Sequence, residues 1–302
     1  MIQTTLYSDP ACPWAYSESP ALRVIEWRYG EQLDWRLVVV GLSEDTSRYA
    51  AHGYTPLRMV AGQLRFRDSY GMPFASAPKP RLSPSSPACR AIVAARLQSP
   101  GSEWRVFRAL QLANFNEGLL FDDEAAMLRV LSGVSGIDAD AVLAAIDSPE
   151  VLAEYERDKA ETRTAEGSPT DFQGKAGNSD GKVRYTAPSV VFESGGRRLE
   201  AGGFQPVEAY DVLIANLDPT LSRREPAETP APLLAYFDGG LTTQEVAALM
   251  ADGNDAPDRR GAEAALLELV AGGGAVRHPL GDDALWLPAQ AVARASTYAD
   301  AA

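Results

Sequence analysis

Residues 8–16 decide the fold, and they read Ser8-Asp9-Pro10-Ala11-Cys12-Pro13-Trp14-Ala15-Tyr16. A β-rich alternating run from 2 to 7 precedes them, and Leu22, Ile25 and Tyr29 follow at helical spacing. Pro13 suits the opening of a helix, because the N–H that it lacks would have no intrahelical partner there. The sequence therefore predicts a strand, a cysteine turn and a helix, with Cys12 at the helix N-terminus.

This position has chemical consequences for Cys12. Unpaired backbone N–H groups and the positive end of the helix dipole favour thiolate over thiol. We therefore expect Cys12 to be a nucleophile with a lowered pKa. The alternative is a small buried cysteine in an ordinary turn between a strand and a helix. The only other cysteine, Cys89, lies at the start of an apolar helical run, and we interpret it as a buried structural thiol.

Residues 8–14 resemble the DsbA-like branch of the thioredoxin superfamily, especially FrnE-type oxidoreductases, the mycothiol-dependent nitroreductase type and 2-hydroxychromene-2-carboxylate isomerases. The resemblance implies that Cys12 is the catalytic nucleophile. It aligns Ala15 with the resolving position, where the family's oxidoreductases usually carry a second cysteine. A lone thiol cannot close an internal disulfide and needs a second thiol from solution. A simple dithiol oxidase is therefore not expected, whether Ala15 is natural or an engineered replacement of cysteine.

A second landmark lies at residues 186–192, where Pro188 heads a strongly β-prone run. The resemblance implies that Pro188 is the cis-proline beside the active cysteine. It further implies that the backbone of Ala187 faces Cys12 and pairs with a substrate or a thiol cofactor. Four residues of the cysteine turn complete the predicted binding surface: Pro13, Trp14, Ala15 and Tyr16. Trp14 and Tyr16 are expected to wall it.

The fold class predicted from these landmarks is α/β: a thioredoxin fold with a helical insertion over residues 1–222. The first half is the strand, helix and second strand of residues 1–40. The second half is a strand, hairpin, strand and helix after residue 186. Between them, a mostly helical insert of about residues 55–182 follows the DsbA-like plan, in which it forms a lid over the cysteine. Its first part, 54–84, is rich in Pro, Arg and aromatic residues and is expected to be irregular. It could close over an anionic or aromatic ligand, or be surface coil.

A Pro-rich linker follows residue 216, and residues 231–290 then predict three helices and a β-hairpin, an order that resembles a winged helix. DNA binding does not fit its charge. Residues 226–302 hold four Arg, no Lys and eleven Asp or Glu, whereas phosphate contacts need positive charge. We expect this small C-terminal domain to be a dimerisation element or a cap that borders the thiol site.

The charge and the residue composition of the chain argue against several classes of partner and cofactor. The 302-residue chain has a net charge of −13, which argues against nucleic acid and membrane surfaces. Its two histidines and two cysteines form no metal-ligand spacing, and no Gly-rich phosphate loop is present, so neither a metal nor a nucleotide cofactor is expected. Met1 leads directly into the first strand without a signal-like segment, which favours a cytoplasmic location. A homodimer is one possible oligomeric state of the chain.

Three functions remain. The first is a thiol-disulfide oxidoreductase-like enzyme or thiol transferase, in which Cys12 reacts with a low-molecular-weight thiol such as mycothiol or glutathione. The second is a thiol-dependent isomerase of the 2-hydroxychromene-2-carboxylate type. The third is a non-catalytic adaptor or binding protein, which has no need of a lowered Cys12 pKa. The substrate is a small molecule or a thiol in the first two cases.

Overall fold

The computed structural model describes residues 1–178, 180–253 and 255–289, and its centre is a four-stranded sheet. The strands are β1 (Ile2–Ser8), β2 (Leu33–Val39), β5 (Ser189–Ser194) and β6 (Arg197–Gly202). Their order is β2-β1-β5-β6; β1 and β2 are parallel, and β5 and β6 join antiparallel. The predicted α/β class is confirmed. No helix of the described ranges is long and apolar enough to cross a membrane.

Two helices, not one, follow β1. They are α1 (Pro13–Ser17) and α2 (Ser19–Tyr29), and a short 3-10 turn at Gly30–Gln32 leads into β2. The expectation of a single helix after the cysteine turn was wrong, because Pro20 has no N–H to continue the intrahelical ladder. Glu18 caps the C-terminus of α1 at this break. The cysteine therefore begins a helix of only five residues.

The insertion between β2 and β5 is mainly helical, as predicted. Its elements are α3 (Ser47–Ala51), α4 (Pro56–Tyr70), α5 (Ser86–Gln98), α6 (Ser102–Asn116), α7 (Glu124–Ser132), α8 (Ala139–Ala145), α9 (Pro149–Thr162), α10 (Pro169–Phe172), β3 (Gly177–Asn178) and β4 (Val183–Arg184). Most residues of helix α5 are buried, and Cys89 within it is fully enclosed in the main core. This core joins the insert to the sheet.

Helix α4 corrects the prediction of an irregular segment from 54 to 84. Thr55 caps its N-terminus, accepting a hydrogen bond from the Arg58 backbone N–H at 3.3 Å, and Pro56 occupies the first turn. Gly71 ends it at φ 77°, a left-handed conformation that favours glycine. Both boundaries were present in the sequence as helix signals, but the composition of the segment obscured them.

Beyond β6, helix α11 (Val207–Leu217) completes the thioredoxin-like half. The remaining elements are α12 (Pro230–Tyr236), β7 (Leu241–Thr242), α13 (Thr243–Met250), α14 (Arg259–Ala271), β8 (Ala275–Leu280) and β9 (Asp283–Pro288). The three strands form their own antiparallel sheet in the order β7-β9-β8, with Trp286 fully buried against the helices. These elements are compatible with an added domain. Its boundaries and its winged-helix likeness stay predictions.

The C-terminal elements pack on the thioredoxin-like part through a buried ionic cluster. Glu245 of α13 accepts two hydrogen bonds of 2.8 Å from the Arg108 guanidinium of α6 and one of 2.5 Å from the Ser19 hydroxyl of α2. The same carboxylate accepts the Thr242 backbone N–H in a capping box. Burial alone would raise the pKa of Glu245, but the Arg108 charge lowers it to about 2. Glu245 is therefore ionised and fully paired.

A second contact brings the β8–β9 turn close to α1. Leu280 packs in one cluster with Tyr16, Phe74 and Phe115. Asp282, in the turn, accepts a hydrogen bond from the Phe74 backbone N–H at 3.3 Å. The C-terminal part thus contacts α1 at Tyr16 and the insert at Phe74; its role as a cap over the thiol site or as a dimerisation element stays a prediction.

Candidate functional site

The turn between β1 and α1 places Cys12 as predicted. Cys12 is the N-cap residue of α1, with extended backbone angles, and Pro13 follows as the first helical residue. The Cys12 backbone N–H donates to the Asp9 carbonyl at 3.1 Å, and its carbonyl accepts the Tyr16 N–H at 3.0 Å. The sulfur therefore lies at the open end of a helical turn.

The structure brings Cys12 together with the second landmark. The Ala187–Pro188 peptide bond is cis. The Cys12 Sγ donates its hydrogen to the Ala187 carbonyl oxygen, at 2.9 Å. Both residues belong to a small apolar cluster that also contains Tyr7, Ala15 and Tyr185. A contact between residues 175 positions apart thus joins the cysteine turn to the loop before β5.

The expected lowering of the Cys12 pKa was wrong for the free protein. Burial raises the pKa of the Cys12 thiol to about 12, and the backbone N–H groups of Ala15 and Trp14 offset this only in part. The nearby Asp9 carboxylate raises it further. Only 7% of Cys12 is exposed, so desolvation of the thiolate outweighs the favourable end of a five-residue helix. At neutral pH the sulfur is a protonated thiol.

Asp9 forms the floor of the site, and the sequence analysis assigned it no role. Its buried carboxylate accepts backbone N–H groups from Ala11 at 2.9 Å and Leu42 at 2.8 Å, and the Ser85 hydroxyl at 3.0 Å. The Cys89 thiol contacts the same carboxylate at 3.5 Å. Burial raises the pKa of Asp9, although these bonds oppose the shift. Asp9 fixes the cysteine turn to the insert.

Trp14 and Tyr16 point in different directions, so they do not wall the site together. Trp14 is 44% exposed and contacts Phe66, Tyr70 and Phe204 in an aromatic cluster. Tyr16 is 1% exposed and its hydroxyl accepts a hydrogen bond from Asn116 at 2.9 Å. Residues two apart on a helix face different sides, which explains why Tyr16 belongs to the core.

A family model described as the DSBA-like thioredoxin domain matches residues 3–186. The chain belongs to this family. Solved structures with the same fold include the cytosolic disulfide reductase DsbM from Pseudomonas aeruginosa (20% identity, 72% of this chain and 100% of that chain, TM-score 0.50). Another is described as a probable DsbA oxidoreductase from Streptomyces coelicolor (18% identity, covering 75% of this chain and 93% of that chain, TM-score 0.54). No curated protein matches the sequence significantly.

Ala15 stands at the position that the sequence resemblance aligned with the resolving cysteine. Ala15 is buried in the first turn of α1, in the same apolar cluster as Cys12. Cys12 and Cys89 are both free thiols. Among the residues that the structure describes, no cluster of three His, Cys, Asp or Glu side chains could hold a metal ion.

A small cavity of about 60 Å³ adjoins the cysteine turn at Ala11. Lys79 lies at its wall, and its ammonium donates to the Asn114 side-chain oxygen and the Leu119 carbonyl, both at 2.5 Å. Burial lowers the pKa of Lys79 to about 8. Lys79 belongs to segment 54–84, for which closure over an anionic or aromatic ligand and surface coil were both left open, and the structure places Lys79 on the same cavity as Ala11 of the cysteine turn.

Glu18 is a buried acid behind α1, and it makes stability depend on pH. It accepts the Tyr210 hydroxyl at 2.8 Å, and burial raises its pKa to about 8. A carboxyl group with a raised folded-state pKa stabilises the protein fully below its unfolded pKa of about 4.3, and this contribution is lost as the pH rises through about 8.

We therefore expect Glu18→Gln to flatten the decline of the unfolding free energy between pH 5 and pH 8. The slope removed is at most about 1.4 kcal/mol per pH unit, the value for one proton. Urea titrations at several pH values would measure it, with Glu193→Gln as an exposed control. Parallel slopes for the wild type and Glu18→Gln would show that the buried carboxyl does not bind the extra proton.

Proposed function

We propose that the protein is a thiol-dependent oxidoreductase or thiol transferase of the DsbA type, in which Cys12 alone exchanges with a low-molecular-weight thiol in the cytoplasm. The main support is the 2.9 Å contact between the Cys12 sulfur and the Ala187 carbonyl beside the cis-proline. This contact supports the proposal, because the sequence resemblance implies that a partner pairs with the backbone of Ala187. Mycothiol and glutathione are the candidate thiols.

In this proposal the Ala187 carbonyl holds the thiol in its neutral form until a partner binds. An extended substrate that pairs with the backbone of Ala187 competes for the carbonyl oxygen and releases the S–H group. Cys12 then loses its proton to solvent and attacks one sulfur of the bound disulfide. A bond forms between the two sulfurs, the S–S bond of the substrate breaks, and the departing thiolate takes up a proton.

The second half of the exchange needs another thiol, because Ala15 cannot attack the mixed disulfide. A thiol from solution attacks the sulfur attached to Cys12. The attacking thiol and the sulfur that it attacks leave together as a new disulfide, and Cys12 regains a proton. Over the two steps, the incoming thiol replaces one of the two thiols of the substrate disulfide, and the protein is not oxidised. Lys79 at the neighbouring cavity would favour partners that carry negative charge.

One observation favours a second candidate, a non-catalytic binding domain. The Cys12 thiol is 7% exposed and its pKa is raised to about 12, which are properties of a structural cysteine. In that case the Ala187 segment would bind a partner without covalent chemistry. The thiol-dependent isomerase stays a prediction of the sequence resemblance.

Intact-mass spectrometry after incubation with glutathione disulfide separates the two candidates. We expect one glutathione on the wild type and on Cys89→Ser, and none on Cys12→Ser. The unfolded wild-type protein, which should react at both cysteines, checks the reagent. If the folded protein stays unmodified while the unfolded protein reacts, the binding-domain candidate replaces the proposed exchange.

A further inference from the structure

The cavity of about 60 Å³ beside the cysteine turn differs in charge from the rest of the chain. Two of its lining side chains, Lys79 and Arg81, are cationic, and none of its lining residues is acidic. The chain as a whole carries a net charge of −13, so its general field repels anions. An anionic partner of this protein therefore needs a local positive charge, and this cavity provides one next to Ala11.

The Lys79 ammonium is the cation of this cavity that lacks a countercharge. It donates to the Asn114 side-chain oxygen and to the Leu119 carbonyl, which are both neutral acceptors. An ammonium has three N–H bonds, and no carboxylate of the described residues lies within 4.0 Å of the Lys79 Nζ. Asp122, whose charge acts on Lys79, is already paired with the Arg81 guanidinium at 2.6 Å. Lys79 can therefore donate one more hydrogen bond, to a negatively charged acceptor.

The Lys79 cavity lies close to Cys12. Asn114, which accepts from Lys79, also donates to the Pro10 carbonyl of the cysteine turn at 3.5 Å. Burial raises the pKa of Tyr49, on another wall of the cavity, and the charge of Cys12 contributes to the shift. One water needs about 10–15 Å³, so about 60 Å³ accommodates a carboxylate but not a whole thiol cofactor. The remainder of a bound molecule has to extend out of the cavity.

We propose that the Lys79 cavity binds a carboxylate of the thiol or disulfide that exchanges with Cys12. This inference rests on the proposed function and narrows it, because glutathione carries carboxylates and mycothiol does not. The Lys79 ammonium donates its third N–H bond to the carboxylate, and its charge offsets the repulsion from the acidic chain. The partner class is then a thiol with a carboxylate a few bonds from its sulfur.

Two disulfides of nearly equal shape test this site on the full chain: dithiodipropionate, which carries carboxylates, and its diamide, which is neutral. Intact mass gives the rate constant of adduct formation at Cys12 for each disulfide. The ratio of the two is divided by the same ratio for mercaptoethanol, which corrects for intrinsic reactivity. We expect the wild type to prefer the carboxylate about tenfold, as a hydrogen bond to a charged group provides. Lys79→Gln should lose this preference, whereas Arg129→Gln, which removes an exposed positive charge, should keep it.

The pH dependence of the preference is a second measurement that needs no variant. Burial lowers the pKa of Lys79 to about 8, so the ammonium is charged below this pH and neutral above it. Arg81 and Asp122 form a pair without net charge beside it, and Tyr49 has a raised pKa. Ionisation of Cys12 accelerates the reaction with both disulfides alike and cancels in the ratio. We therefore expect the tenfold ratio at pH 7 to disappear by pH 9.

The outcomes distinguish the carboxylate site from the proposed exchange. If both disulfides react equally fast, if Lys79→Gln keeps the preference, or if the ratio is the same at pH 7 and pH 9, the carboxylate site is overturned and the exchange stands. If neither disulfide reacts with the folded protein, the exchange fails, and calorimetry with S-methylglutathione on Cys12→Ser decides the site. Adding Lys79→Gln should then weaken binding about tenfold. No binding, or equal affinity with and without Lys79→Gln, would overturn the site.

Discussion

Ala15→Cys is expected to abolish the stable adduct between Cys12 and glutathione. The new cysteine would lie three residues after Cys12 in the same helical turn, within reach of the mixed disulfide. It attacks the Cys12 sulfur, glutathione leaves as a thiol, and an internal disulfide between residues 12 and 15 remains. Intact mass should then show a loss of two hydrogens in most of the protein instead of the added thiol that accumulates on the wild type.

Ala15→Ser is the matched control, because it adds an atom of similar position but cannot form a disulfide. It should accumulate the adduct as the wild type does. If Ala15→Cys kept the adduct to the same extent as Ala15→Ser, the alignment of residue 15 with the family's resolving position would be wrong. The result would also show whether the monothiol state of the site depends on this one residue.

Glu245→Gln should cause the largest loss of stability among single changes at the contact between the two parts of the chain. The substitution leaves the Arg108 guanidinium buried without a countercharge, and breaking a buried pair in this way costs about 3–5 kcal/mol. Urea unfolding followed by far-UV circular dichroism would measure it. We expect the unfolding midpoint to fall clearly below that of the wild type.

The exposed pair of Arg198 and Glu193, 3.2 Å apart, provides the control for this experiment. Glu193→Gln should cost at most about 1 kcal/mol, because solvent screens an exposed pair. Equal losses for Glu245→Gln and Glu193→Gln would contradict the account in which Glu245 joins α2, α6 and α13. A much larger loss for Glu245→Gln would establish that the C-terminal elements stabilise the thioredoxin-like part.

Local sequence signals predicted the elements around the site well. The order of strand, cysteine turn and helix followed from the alternation before Ser8 and from Pro13, because each depends only on neighbouring residues. The boundaries of α4 were also encoded locally, by Thr55 and Gly71, but they were missed because the Pro- and Arg-rich composition was given more weight. These features are within the reach of sequence reasoning.

Burial and long-range contacts were not predictable in the same way. The helix N-terminus at Cys12 was predicted, yet the pKa of its thiol depends on enclosure by residues such as Ala187, 175 positions away. Tyr16 packs against Phe115 in the core, and its hydroxyl accepts a hydrogen bond from Asn116, 100 positions later. The pairing of Arg108 with Glu245 likewise joins residues 137 positions apart. A single sequence carries no direct signal for such pairs.

The pH dependence of alkylation at Cys12 tests most directly the claim that its thiol is reactive but held protonated in the free protein. Iodoacetamide labelling would be followed by intact mass, with Cys89 as the internal comparison and Cys12→Ser as the control. We expect the rate at Cys12 to exceed that at Cys89 and to rise about tenfold per pH unit through pH 9 without a plateau, since the thiolate is the reacting form. A plateau below pH 7, or labelling of Cys89 in preference to Cys12, would contradict the account.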